Sequence, residues 1–258
     1  ELKGRALSIT FLVKNEVDRA GCFRTLANNL SEKSRKDVLQ AALRDINQIQ
    51  EKQVRLLALG ELLEAFSGRE RDSLALTLLR DISTLDEWEQ MHLFGRIFEY
   101  FPSSSHSEAL KIMVAIKNDE HRCNIFQQTI KYYSKADQRK IAELVSHVDE
   151  HKLRIATQSD IVNHIDDELK IELTQNAHNS ALNFPDVLQQ ALALQIMVEK
   201  LPYEMRTGPA RDALVVLRNI SDPISRLTIL VSLEKNAPSE FQSEILQEIS
   251  TIKNQLRK

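Results

Sequence analysis

The chain has 258 residues, 42% apolar and 28% charged, and its 34 basic side chains against 37 acidic ones leave a net charge of −3. That balance suits a chain with a buried core and disfavours general binding to nucleic-acid phosphates. Six glycines, six prolines and the absence of any Asn-Gly or Asp-Gly pair exclude a hairpin-rich β architecture and point to an all-α chain. No apolar run reaches the ~18–20 residues that a membrane span needs.

The first stretch, "ELKGRALSITFLVKNE", has no apolar core with a cleavage site. It also does not start with Met, so an already removed leader stays open and secretion with it. From there onward short polar turns separate helical stretches. The second helix of each pair reads, in order, Cys22–Leu30, Ala58–Phe66, Leu93–Phe101, Ile125–Tyr133, Ala156–His164, Ala193–Leu201 and Ile229–Ala237. Each is followed by a polar turn and a further helix carrying Leu39, Leu74, Leu110, Leu144, Leu173, Leu214 or Leu246. Those leucines are 35, 36, 34, 29, 41 and 32 residues apart, so the period is about 34 residues and seven pairs fill the chain. "LRDI" at Leu43 and Leu79 and "LRNI" at Leu217 are the same seat in different pairs.

Counted back from the last residue of each second helix, apolar residues fall at 0, 3, 4, 7 and 8, as in Phe101, Phe98, Ile97, Phe94 and Leu93. That spacing is one stripe of an amphipathic helix. Eleven back stands Arg in four pairs, Arg19, Arg55, Arg122 and Arg226. Such an arginine is expected to staple the helix start or to pair with an acid of the preceding turn, as are Arg44, Arg80 and Arg218. One pair cannot bury its stripe alone, so neighbours must stack. The pattern resembles the HEAT-like and tetratricopeptide-like repeat families, with Gly60 and Gly95 the only echo of the tetratricopeptide glycine. That resemblance implies a single right-handed α-solenoid of about seven antiparallel helical hairpins over residues 1–258.

The fifth pair breaks the pattern. Its stripe reads Thr157, Asp160 and His164 where the others are apolar. In "SHVDEHKL", His147 and His151 are four apart, the spacing of one helical face, and so are Asp160 and His164. Convergence of these four would suit zinc or another first-row metal and make the chain a metal-dependent helical-repeat enzyme or a metal-stabilised scaffold; a polar hinge, or a shifted register that exposes these groups, is the plainer reading. A bend or subdomain break is expected near residues 175–185, where Pro185 would start the next helix. Cys22 and Cys123 are expected to be core thiols in a reducing, cytoplasmic setting.

Phosphate-cradling glycine loops, paired CxxC elements and nucleophile elbows are absent, so neither catalysis nor a cofactor is indicated. Asp86, Glu87, Glu89 and Asp166, Asp167, Glu168 read as solvated turns. Lys131, Lys135, Arg139, Lys140, Lys152 and Arg154, with Tyr132 and Tyr133 interleaved, keep open a nucleic-acid-binding solenoid, though acids dilute them. On the flank of the stripe, Tyr100 and Tyr132 are expected beside Arg96 and Lys131. Tyr with Arg is a common interface anchor. The sequence therefore favours a non-catalytic scaffold that binds a protein or peptide, with Arg96, Tyr100, Lys131 and Tyr132 as contacts. Trp88, the only tryptophan, sits in the acidic turn "TLDEWEQ".

Overall fold

The structure, a computed structural model, describes residues 2–257. Among these the regular elements are helices, with no strand. The chain divides into two compact units, Glu1–Tyr133 and Ser134–Lys258. The first holds α1 (Leu2–Thr10), α2 (Glu16–Asn28), α3 (Glu32–Ile46), α4 (Lys52–Leu62), α5 (Gly68–Ile82), α6 (Glu87–Ile97), α7 (His106–Val114) and α8 (Asp119–Thr129). The second holds α9 (Lys135–Ser146), α10 (His151–Ile161), α11 (Asp167–Leu182), α12 (Val187–Lys200), α13 (Thr207–Leu217), α14 (Pro223–Asn236) and α15 (Gln242–Leu256). Residues 175–185, the expected break, are the end of α11 and the turn into α12, inside the second unit.

Local chemistry sets the helix boundaries. Asn15, Asp86, Asn118, Ser134, Asp166, Asp186 and Asp222 each accept a hydrogen bond from a first-turn N–H, which removes orphan donors. Four helices, α4, α6, α8 and α10, tighten into a 3-10 turn at their ends: Leu63–Ala65, Phe98–Tyr100, Ile130–Tyr132 and Val162–His164. Phe66, Phe101, Tyr133 and Ile165 then turn extended and lead the chain into the next helix.

In the first unit α2 packs on α3 and α4, α4 on α6, and α6 on α8. In the second, α10 packs on α9, α11 and α12, while α12 packs on α13 and α14. The buried stripes lie between them, with Phe23, Phe94, Phe98 and Phe126 among the largest fully buried side chains. Each such side chain contributes roughly 1.5–3 kcal/mol of burial free energy. In "LRDI" and "LRNI" the Ile is buried at Ile46, Ile82 and Ile220, and the Arg is exposed at Arg44, Arg80 and Arg218. This phrase serves packing.

The stripe of α10 corrects the sequence count by one residue. The chain turns extended at Ile165, not at His164. Counted from there the stripe is Ile165, Val162, Ile161, Gln158 and Thr157, all buried, whereas His164 is exposed and Asp160 half-buried. The missing apolar character is therefore confined to Thr157 and Gln158, with Ser159 buried beside them.

The same shift brings Arg154 eleven residues before the stripe's end, where one guanidinium or carboxamide after another does the same job. Arg19 Nη1 donates to the Val13 carbonyl at 2.7 Å, Arg55 to Ile49 at 2.8 Å, Arg122 to Ile116 at 2.7 Å and Arg154 to Val148 at 2.6 Å. Gln90 donates to Leu85 at 2.9 Å and Gln190 to Phe184 at 2.7 Å. Arg226 differs, reaching Glu248 at 3.1 Å. Arg19 also pairs with Asp45, the aspartate of the first "LRDI", at 2.7 Å.

Candidate functional site

Arg96 lies exposed on α6, and Tyr100 follows it in the 3-10 turn, half-buried. The Tyr100 hydroxyl donates to Glu61 of α4 at 3.4 Å, and the Arg24 guanidinium of α2 sits 4.9 Å from the ring centroid. Arg24 also pairs with Glu61 at 3.2 Å and Glu64 at 3.5 Å. Burial works against the Arg24 charge, but Tyr100, Glu61 and Glu64 outweigh it and hold its pKa above the ordinary value. Burial likewise pushes the Tyr100 phenol up, against the pull of Arg24. Arg24, Glu61 and Tyr100 thus tie together α2, α4 and the turn after α6.

Lys131 and Tyr132 occupy the corresponding turn after α8. The Lys131 ammonium is 4.9 Å from the Tyr132 ring, which in turn lies 5.7 Å from Phe98. Tyr100 therefore leans on α4 and Tyr132 on the turn after α6, and both stay half-buried. Arg96 and Lys131 are exposed cations, and no ion pair joins either to another described residue. An open groove of about 740 Å³ runs from Ile9 of α1 past Arg24 and Glu61 to Arg96. Cys22 lines it and is exposed, so of the two thiols only Cys123 is buried in the core. At that position α2 meets only the open groove, whereas its counterparts Ala58, Leu93 and Ile125 are buried between helices.

The four metal candidates do not come together. "SHVDEHKL" is not one helix: α9 ends at Ser146 and α10 starts at His151, so His147 and His151 share no helical face. A turn through buried Val148, pinned by Arg154, separates them. His147 Nδ1 lies 2.7 Å from the Glu143 carbonyl, and the His151 ring meets Phe184 edge-on at 5.3 Å. Asp160 pairs with Lys200 at 2.8 Å, while the His164 carbonyl accepts from Gln138 at 3.3 Å. Among the described residues no three His, Cys, Asp or Glu side chains could hold a metal ion.

Other charges are also accounted for locally. Asp86 and Glu89 form a reciprocal capping box on α6. Glu87 accepts from the backbone N–H groups of Lys117 at 2.8 Å and Asn118 at 3.0 Å, and these bonds hold its carboxyl below the ordinary range. Asp166 caps α11, and the Leu169 N–H lowers its pKa in the same way. Of the basic stretch, Lys135 pairs with Asp166, Arg139 with Glu168 and Glu172, and Lys140 with Asp137, while Arg154 turns inward.

The cross-helix ties were missed by sequence reasoning. In the second unit Asp160 meets Lys200, and Gln195 reaches Ser232 at 3.0 Å beside Glu199. A signal was present: partners such as Arg24 and Glu61, or Gln195 and Ser232, stand 37 residues apart, about one hairpin. No helix among the described residues is long and apolar enough to cross a membrane. No protein family, no curated protein and no solved structure matches the chain.

Proposed function

We propose that the chain is a right-handed α-solenoid of about seven helical hairpins, repeating every ~34 residues, that binds a protein or peptide partner without catalysis. The recurrence of the carbonyl-seeking side chain at positions 19, 55, 90, 122, 154 and 190 supports the repeat, since each marks the same turn of a hairpin. One observation carries the binding reading: Arg96 and Lys131 are exposed cations with no acid partner among the described residues, each followed in the chain by a half-buried tyrosine. Arg24, against the Tyr100 ring, is by contrast paired with Glu61 and Glu64. A partner carboxylate against Arg96 or Lys131, over Tyr100 and Tyr132, gives the aromatic-plus-cation anchor of many interfaces.

The test is chemical cross-linking of the full chain to its captured partners, repeated with the Arg96→Glu/Lys131→Glu double variant. Both residues are exposed, so melting should be unchanged while cross-links to this face fall at least tenfold. Capture that is equally strong in the double variant would remove the face from consideration.

A further inference from the structure

A second groove, of about 580 Å³, lies between α3 and α5 on the other helices of the first unit. Its apolar lining comes from Leu39, Leu43, Phe66 and Leu74, of which Leu43 and Phe66 are only partly buried against the core. Lys36 and Arg69 stand at one end, both exposed. The N-termini of the two helices meet at that end, because Arg35 of α3 donates to the carbonyl of Ala65, just ahead of α5, at 2.9 Å. Ser31 and Ser67 make no side-chain cap there, so the first-turn N–H groups of the two helices are left to offset their own first-turn acids, Glu32 and Glu70. Glu70 is the one acid lining the groove, and it sits in the first turn of α5, where that helix's own dipole uses its charge. Glu32 is 3.7 Å from Lys36 with both side chains largely exposed, a pair of little strength. The groove is thus apolar along its length and positive at one end.

We infer that this groove docks a short amphipathic helix of another protein, with an acidic residue at one end of its apolar face. From Lys36 to Leu43 the groove covers about 10 Å of helix rise, which matches two helical turns. Two or three large apolar side chains at i, i+3 or i+4 and i+7 fill such a length, and an Asp or Glu beyond them meets Lys36 and Arg69. This site is separate from the Arg96–Tyr132 face and does not rest on it.

The experiment is selection of a displayed random 12-residue peptide library on the immobilised full chain, then anisotropy titration of a labelled enriched peptide. The expected sequences pair Leu, Ile or Phe three or four apart with a flanking Asp or Glu. Affinity should fall at least tenfold in Leu74→Arg and in the Lys36→Glu/Arg69→Glu double variant, with peptide Asp or Glu→Lys restoring binding to the double variant. The double variant changes only exposed side chains, so it stands even where Leu74→Arg perturbs folding. Enrichment of basic peptides, no enrichment, or binding indifferent to the double variant overturns the inference. So does a concentration-dependent dimer in sedimentation that the double variant abolishes, because the occupant is then a second copy of the chain.

Discussion

At the scale of single residues, the recurring reach from Arg or Gln to a carbonyl five or six residues upstream closes six of the turns between helices. Val148 is buried, so its carbonyl needs a donor, and Arg154 supplies it at 2.6 Å. Arg154→Ala should cost about 1–3 kcal/mol, the penalty of an orphaned buried acceptor. Since Gln90 and Gln190 do the same job natively, Arg154→Gln should lose less than half as much in a urea titration. Equal losses would show that packing of the arginine stem, not its hydrogen bond, holds the turn. Glu87 is a second case. Its carboxyl is depressed by two backbone N–H donors, so the carboxylate stabilises the fold above its unfolded-state pKa. That contribution is lost as pH falls through the lower folded value. NMR titration should find Glu87 titrating below an ordinary glutamate, and Glu87→Gln should flatten the acid limb of stability against pH. An unchanged acid limb would deny the role.

At the scale of elements, Gly60 of α4 and Gly95 of α6 behave differently. A Cβ on Gly60 of α4 would stand 2.7 Å from Ile97 Cβ of α6, inside a packed interface that cannot give way. Overpacking of that kind costs typically 1–3 kcal/mol, more than the ~1 kcal/mol of helix propensity that Ala gains over Gly. On Gly95 of α6 the Cβ would meet the end of the Gln128 side chain, which can swing into solvent. Thermal denaturation should therefore rank Gly60→Ala below the parent and Gly95→Ala at or above it; the reverse order would contradict the α4–α6 packing described above. Sequence reading saw these glycines only as a faint family echo, because close approach is a property of the neighbouring helix. The helices themselves were legible, since apolar spacing and cap residues are local. The register of α10 was not: Thr157 and Gln158 occupy apolar seats, which moved the count by one and put Asp160 and His164 in a false stripe. Gln158 Oε1 and Ser159 Oγ are buried with no hydrogen-bond partner among the described residues, a burden no period in the sequence announces.

At the scale of the whole molecule, the chemistry-bearing residues were harder to read than the scaffold. Arg96, Tyr100, Lys131 and Tyr132 could be assigned to the ends of α6 and α8 by counting. The Arg24–Glu61–Tyr100 tie that separates answered from unanswered cations requires three helices to meet. The four metal candidates failed for the same reason, as a turn at Val148 breaks the face that i,i+4 spacing implied. Stacked hairpins contact mainly their neighbours, and stability in such arrays is a sum of local and nearest-neighbour terms. Leu194 of α12 is fully buried, and α12 packs on α10, α11, α13 and α14. Leu194→Ala should cost about 2–5 kcal/mol, and hydrogen exchange should show where that loss is felt. Faster exchange confined to α10–α14, with α2–α6 as protected as in the parent, is the outcome for an array of semi-independent hairpins. A uniform loss of protection from α2 to α15 would instead make the chain one cooperative unit, in which a partner bound at Arg96 would be felt as far as α15.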